Sequence, residues 1–540
     1  MKFTKKILTT LGLLGVTEAN LGSINTEKHV AQQNAVSKRP PNFLFIMSDD
    51  QDLLLDSLSY TPLTMKHMRD KGTTFNNHFV TTALCCPSRV SLWTGRLAHN
   101  TNVTDVHPPW GFDKNFLPVW LQQAGYDTYY TGKLMNAHSI ENYASPHVSG
   151  FNGSDFLLDP YTYDYMNATY QRNHDAPVSY LGRHTTEVLT EKAMGFLEDA
   201  LSGERPFFMA VSPIAPHSNM NGTYGAGSGP LWMDEPIPED RHKHLFPEAK
   251  VPRKANFNPK EVSCLSPSLV ASSEKLTGEQ PTGVSWIHDL PFRNETEVDY
   301  NDHYYRQRLR ALQGVDELVD SLVTRLEQSD KLDNTYIIYT SDNGFHIGQH
   351  RLPPGKTCGF DEDIRVPFFI RGPGIPEGAV EDSVSTHIDL APTFYELAGI
   401  PLRDDFDGAP MRILRNNMGT LHEHNDPYQI NNLYAKAQTD NSQETRMMGY
   451  SLSRVITRLD ALLLVLKSCK GTSCIEPWSV LHPGGSVHNL RDALNEKYDS
   501  FYQTQSKVSF DRCEYAYIID AEGPQEALAY RNGYSLDAWV

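Results

Sequence analysis

Pro41-Asn42-Phe43-Leu44-Phe45-Ile46-Met47-Ser48-Asp49-Asp50 opens the regular part of this chain. From Phe43 to Met47 the run is apolar without alternation, the pattern of a strand buried on both faces. It runs straight into two carboxylates. Comparable strands are expected at Thr128-Tyr129-Tyr130, Pro206 to Val211, Thr335 to Thr340 and Val366 to Ile370. Helical patterns separate them. The clearest spans about Asn301 to Gln328, with Leu309, Leu312, Val315, Leu318, Val319, Leu322 and Leu326 on one stripe. Buried strands alternating with helices imply an α/β fold, a large mostly parallel sheet flanked by helices.

Outward from that core, 540 residues exceed one ordinary domain of roughly 150 residues. With 39% hydrophobic and 10% aromatic residues the chain can bury a core, which excludes wholesale disorder. The charge of 48 − 66 = −18 repels polyanions and argues against nucleic acid or an anionic membrane as the main partner. A small anionic substrate is compatible with it, because a few clustered cations override the global field. At the N-terminus Lys2, Lys5 and Lys6 precede a short apolar stretch, Ile7 to Val16, and Thr17-Glu18-Ala19 offers small residues for cleavage. This reads as a signal peptide over residues 1–19, followed by a flexible leader over 20–39. No later apolar run approaches the ~18 residues of a membrane span. Sequons at Asn102, Asn152, Asn167, Asn221 and Asn294 fit passage through the secretory route. The expected location is therefore secreted or within the secretory lumen (extracellular, cell wall or lysosome-like). Residues 218–300, rich in Pro, Gly, Ser and Asn, read as long loops over the active face. The chemistry is expected in a domain over 40–400, with a smaller C-terminal subdomain over 401–540.

Asp49-Asp50 follows the first strand and Asp342-Asn343 the strand at Thr335 to Thr340. Ligands of parallel sheets gather beyond the carboxyl ends of the strands, so these oxygen donors can meet at one point. Carboxylates crowded together require a counter-charge, and an all-oxygen set suits Ca²⁺ or Mg²⁺ better than zinc. The competing reading is that each pair caps a helix or turn. In Cys85-Cys86-Pro87-Ser88-Arg89-Val90-Ser91-Leu92-Trp93-Thr94-Gly95-Arg96, Pro87 suits a first helical turn and Gly95 a helix end. Cys85 is then expected just outside a helix N-terminus, where developing negative charge is favoured, with Arg89 one turn along to hold an anion. The alternative makes Cys85 and Cys86 disulfide cysteines of a secreted protein.

Cys-x-Pro-Ser-Arg followed by Thr-Gly-Arg resembles the signature of the sulfatase family. Asp49-Asp50, Ser341-Asp342-Asn343-Gly344, Gly132-Lys133, Ala215-Pro216-His217 and Lys356 match further motifs of that family, over roughly residues 41 to 400. Leu84 to Arg89 and Gly132-Lys133-Leu134-Met135-Asn136 are most similar to fungal arylsulfatases and N-acetylglucosamine-6-sulfatases. The resemblance implies an alkaline-phosphatase-like fold. It also implies that a formylglycine-generating enzyme oxidises Cys85 to formylglycine (3-oxoalanine) during secretion. One hydroxyl of the hydrated aldehyde attacks sulfur and the other then releases sulfate. One Ca²⁺ is implied on Asp49, Asp50, Asp342 and Asn343, beside the Cys85-derived group. Arg89, Lys133 and Lys356 gather positive charge around the substrate, and His217 or Lys356 protonates the leaving oxygen. Freeing Cys85 from pairing leaves six of the seven cysteines, enough for three disulfides. Cys469–Cys474 is the expected pair, with Cys86 alternatively free and buried.

Two features depart from the family pattern. Many sulfatases carry a His two residues after the Lys of the Gly-Lys motif, whereas this chain has Met135, which moves no proton. Asn136 is the alternative contact to the diol or sulfate, and His138 a substitute or an ordinary loop histidine. His346 reads either as a substrate contact or as local support. Only about two dozen residues separate Pro401 from a segment at Asn425 to Leu433 that family members reach after several strands. The companion sheet is therefore expected to be severely trimmed, or the sequence to lack part of a natural chain, with instability or association as the consequence.

The implied activity is a sulfuric ester hydrolase of arylsulfatase type, with an N-acetylglucosamine-6-sulfatase as the alternative. The aromatic loop Tyr161 to Tyr170 and the basic loop His242 to His244 are candidate contacts for an aryl sulfate or a sulfated sugar. A phosphoryl-transfer enzyme on the related fold is disfavoured by Cys85 and the Asp/Asn metal set. An inactive secreted carbohydrate-binding protein is the reading from another class.

Overall fold

The structure, a computed structural model, describes residues 39–104, 106, 114–220, 233–260, 287, 290–413, 429, 446–510 and 522–523. The expected signal peptide, the leader up to residue 38, Asn221, Cys264, Cys513 and most of the 425–433 segment lie outside the described residues.

A ten-stranded sheet organises the chain. Its strands are β1 (Asn42–Ser48), β2 (Thr73–Phe75), β3 (Asp127–Gly132), β4 (Gly153–Leu157), β5 (Thr169–Arg172), β6 (Val178–Ser179), β7 (Phe207–Ser212), β8 (Thr335–Ser341), β9 (Phe368–Arg371) and β10 (Ala379–Glu381), in the order β10-β2-β9-β8-β1-β7-β3-β4-β5-β6. The run β8-β1-β7-β3-β4 is parallel throughout. On one side β9 turns back antiparallel to β8, and on the other β5 runs antiparallel to β4 and β6 antiparallel to β5. The sheet is thus mixed at its flanks, which apolar content alone does not reveal. Strand direction there follows from connections that return without a long crossover helix.

Strand β1 is buried along its whole length, and its two faces feed different cores. Phe43, Phe45 and Met47 pack with Trp93, Phe208 and Phe394 under the helices α1 (Cys85–Thr94) and, further along the chain, Leu390–Ala398. Phe43 and Phe45 meet Phe394 and Trp93 edge-on, with ring centroids 5.2 and 5.3 Å apart. Leu44 and Ile46 face Leu189, Phe196, Val315, Leu318 and Leu322 of α2 (Thr185–Ser202) and α3 (Glu295–Gln328). Helix α3 begins six residues before the start at about Asn301 expected from the sequence, because Asn294 and Glu297 close a capping box ahead of the apolar stripe.

Register sets the level at which the chain leaves each strand. Ser48 lies opposite Ser341, so the chain leaves β1 and β8 at one level. Gly132 lies opposite Ser212, and Lys133 and Pro213 leave at the next. Gly132 has φ +106°, and a Cβ there would stand 2.1 Å from the Ser212 carbonyl oxygen, so only glycine fits.

The C-terminal helix runs over Leu452–Leu466, as its apolar period predicts, and packs with Cys469, Trp478, Leu481 and Tyr502 in a core of its own. It is tied back where Asp407 accepts the Leu97 and Gly471 amides and where Asn100 donates to the Cys469 carbonyl. Cys469 and Cys474 form a disulfide, while Cys86 and Cys358 are free and buried. Among the described residues no helix is long and apolar enough to cross a membrane.

Candidate active site

Cys85 is the first residue of α1 and not the residue outside it, a correction of one position. Leu84 takes the extended N-cap conformation, and Gly95 closes the helix at φ 66°. Every residue of this helix is buried, and Cys85 is 2% exposed.

The structure brings the candidate residues together at the carboxyl ends of β1, β3 and β8, with contributions from two loops. Cys85 Sγ lies 3.6 Å from Asp49 Oδ1 and 4.0 Å from Asp50 Oδ1. Lys356 Nζ donates to Asp50 Oδ1 at 2.5 Å and stands 2.6 Å from Cys85 Sγ. Lys133 Nζ donates to Asp49 Oδ2 at 2.6 Å and lies 3.8 Å from Asp342 Oδ2. Arg89 donates from Nε to Asp342 Oδ2 at 2.8 Å and from Nη1 to the Lys133 carbonyl at 2.6 Å. Asn343 Nδ2 donates to Asp50 Oδ1 at 2.8 Å, and Asp342 Oδ1 accepts the Asp50 amide at 3.0 Å. His217 Nε2 is 3.6 Å from Asp50 Oδ2, while its Nδ1 faces the Ser218 carbonyl at 2.8 Å. A carbonyl only accepts, so Nδ1 carries the proton and Nε2 presents its lone pair to the site.

Burial penalises every charge here, and the neighbours decide the outcome. For Asp49 burial works upward, but Lys133, His217 and Arg89 outweigh it and hold the carboxyl at about 2. Asp50 is lowered in the same way, chiefly by Lys356 and His217 against burial. Lys356 is raised, because Asp50 and Cys85 outweigh its burial. Burial lowers His217, leaving a neutral imidazole. The Cys85 thiol is pushed by burial up to about 12, despite the two lysines, so the unmodified side chain is a protonated thiol at neutral pH.

The donor set fits a hard divalent cation. Asp50 Oδ2 and Asn343 Oδ1 are buried without a hydrogen-bond partner, which is costly unless something electropositive meets them. Asp49, Asp50, Cys85 and His217 each bring a ligand atom within 4.8 Å of the others. The oxygens of Asp49, Asp50, Asp342 and Asn343 suit Ca²⁺ or Mg²⁺.

Other residues of the site are not singled out by sequence reasoning. Arg308 of α3 is buried and donates to the carbonyls of Asp50 and Pro216 at 2.5 and 3.1 Å, and reaches Asp52 at 3.2 Å. It holds Asp50 in its left-handed conformation, φ 65°. A signal is present, since Arg308 shares the stripe of Leu312 and Val315 at helical spacing. Ser88 Oγ donates to the Asp342 carbonyl at 2.5 Å, and a buried pair, His78 and His387, continues to the Ser341 carbonyl.

Several candidates go elsewhere. Met135 is buried in the core, and His138 packs its ring on Phe156. His346 Nδ1 pairs with Asp363 at 2.7 Å and supports the loop carrying Lys356. His242 is engaged by Glu239 and Glu317, each at 2.9 Å. Tyr163, Tyr165 and Tyr170 are buried, so these rings of the aromatic loop do not form an exposed substrate surface.

Residues 41–400 match the protein family described as Sulfatase. An arylsulfatase of Volvox carteri is 36% identical, over 89% of this chain and 82% of its own length. An N-acetylglucosamine-6-sulfatase of Capra hircus is 32% identical, over 74% and 65% respectively. Among solved structures, BT4656 in complex with its substrate D-glucosamine-2-N,6-O-disulfate aligns with a TM-score of 0.55 at 26% identity, over 71% of this chain and 81% of that one.

Proposed function

The chain belongs to the sulfatase family, and we propose that it is a sulfuric ester hydrolase of arylsulfatase type, releasing inorganic sulfate from aryl or sugar sulfate monoesters. The observation that carries this reading is the position of Cys85. It stands at a helix N-terminus within reach of Lys356, beside carboxylates whose charge Arg89 and Lys133 balance. Cations that converge from separate strands and loops onto one buried point suit a small tetrahedral anion.

In this reading residue 85 becomes formylglycine through a formylglycine-generating enzyme, and its hydrated aldehyde supplies the nucleophile that the thiol does not. A calcium ion held by Asp49, Asp50, Asp342 and Asn343 would supply positive charge to the sulfate oxygens and to that nucleophile. Lys133, Lys356 and Arg89 orient the sulfate and stabilise charge as the ester bond breaks. His217 Nε2, unprotonated, accepts a proton from the attacking group, and Lys356, held charged, gives one to the leaving oxygen. Residues 40–400 are the catalytic domain and 401–540 a C-terminal subdomain, in a protein exported through the secretory pathway.

The arylsulfatase relatives favour an aryl ester, while the BT4656 complex and the Capra hircus relative favour the 6-sulfate of an amino sugar. The test combines peptide mass spectrometry across Cys85 with hydrolysis of p-nitrophenyl sulfate and glucosamine 6-sulfate. Loss of the thiol mass to the aldehyde, with sulfate release, is expected. An unmodified Cys85 with no turnover would make the chain a non-catalytic binding protein.

A further inference from the structure

Tyr163 belongs to the aromatic loop that the sequence offers as a substrate contact, yet it is 1% exposed. Its ring lies flat against His217, with centroids 4.1 Å apart and planes 23° from parallel. On the same ring Lys133 Nζ stands 4.8 Å from the centroid, a cation–π distance. Its hydroxyl accepts from Asn136 Nδ2 at 2.6 Å, and Asn136 lies three residues beyond Lys133. The aromatic loop and the segment from His217 to Met220 are also joined by hydrogen bonds, each with a backbone group on at least one side. Met220 N donates to the Tyr163 carbonyl at 3.1 Å, Tyr165 N to Asn219 Oδ1 at 3.1 Å, and Tyr165 OH to the His217 carbonyl at 2.8 Å.

These contacts have a directional consequence. The His217 ring is held at Nδ1 by the Ser218 carbonyl, and that single bond leaves it free to swing about the bond axis. A flat aromatic neighbour removes this freedom and aims Nε2 toward Asp50. The same ring offers Lys133 a soft negative face, so its ammonium is located by Asp49 and Tyr163 together.

We propose that Tyr163 is a positioning residue for the hydrolysis, fixing the plane of His217 and the ammonium of Lys133 through its ring, with the hydroxyl serving mainly to anchor Asn136. The proposal rests on the sulfate-ester hydrolase reading for its kinetic part alone. Tyr163→Phe keeps the plate and Tyr163→Leu removes it. With p-nitrophenyl sulfate, Tyr163→Phe should keep kcat within about threefold, and Tyr163→Leu should lose roughly 10- to 100-fold in kcat with KM changed by less than about threefold. Tyr163→Met replaces the leucine variant if far-UV circular dichroism shows the latter unfolded.

A second readout is independent of turnover. In protein labelled with ¹³C at histidine Cε1, the His217 signal, assigned by its loss in His217→Gln, should sit upfield in the wild type and in Tyr163→Phe. It should move downfield in the leucine variant as the ring current disappears. Full kcat in the leucine variant, equal damage in Tyr163→Phe and Tyr163→Leu, or an unmoved His217 signal would overturn the assignment. If the wild type hydrolyses no sulfate ester, the hydrolase reading fails, and the histidine signal alone decides the role of Tyr163.

Discussion

Two clusters of charge in this molecule use the same residue types and do different things. One gathers Asp49, Asp50 and Asp342 with Arg89, Lys133, Lys356 and His217. The other, against helix α3, gathers Glu187, Glu239 and Glu317 with Arg241 and His242. In the second, Arg241 and Glu317 remain 47% and 46% exposed, so water carries part of the solvation cost. Its members come from one short turn and two helices. The first is shut away from water, is assembled from several strand ends and loops, and still leaves oxygens of Asp50 and Asn343 without partners. Incomplete satisfaction does not separate the two, since Glu239 Oε1 and Oε2 are also buried without a hydrogen-bond partner. What separates them is that the first cluster is shut away from water while Arg241 and Glu317 of the second stay half-exposed, and full burial marks the chemistry.

The contrast can be broken most directly at Cys85. Cys85→Ala should drop turnover of p-nitrophenyl sulfate by roughly 10⁴-fold or more while leaving the melting temperature nearly unchanged. Retained turnover would mean that another residue is the nucleophile. Arg308→Met comes next, because it strips the buried cation from Asp52 and the Asp50 carbonyl. Breaking such a pair costs about 3–5 kcal/mol, visible as a lower denaturation midpoint, together with lost activity. Third, added Ca²⁺ should raise the melting temperature of the wild type, by about 2.7 kcal/mol of stability at a hundred times its dissociation constant. Asp50→Asn should abolish that response, and an equal response in the variant would move the ion elsewhere.

The smallest effect belongs to the second cluster. Burial, aided by Glu317 and Glu187 against Arg241, raises Glu239 to about 7. The folded protein then keeps a proton that the unfolded chain gives up, so this residue costs stability as pH rises from about 4.5 through 7. Glu239→Gln should remove that slope, worth about 1 kcal/mol or less given its half-exposed partners, in melts compared at pH 5 and pH 8. Catalysis should be unaffected.

Much of the molecule is legible in its sequence because the central strands are buried on both faces and end in charge. Phe43 to Met47 leaves no competing reading, and Asp49-Asp50 and Asp342-Asn343 lie where a parallel sheet gathers its ligands. Strand direction at the flanks is not legible. Strand β9 is as apolar as the parallel strand beside it and only the path of the connection reverses it, while β5, Thr169-Tyr170-Gln171-Arg172, carries too little apolar pattern to stand out. The true start of helix α3 is hidden too, because its first turns are held by a polar cap instead of an apolar stripe. Arg308 passes for an exception on that stripe, although an arginine among leucines has to be paid for by partners. The aromatic loop misleads because tyrosine beside a site suits a sugar platform and a buried brace equally well. Burial alone separates the two.

Strands β1 and β8 run in step from Asn42 opposite Thr335 to Ser48 opposite Ser341. Two stretches of gene almost three hundred codons apart therefore act as one ruler, with the site read off at its end. An insertion in a connecting loop that carries no site residue leaves this mark in place. A single residue added within either strand would carry one acidic pair about 3.3 Å past the other and turn it toward the opposite face. A change of length inside either of these two seven-residue segments therefore reaches the site directly.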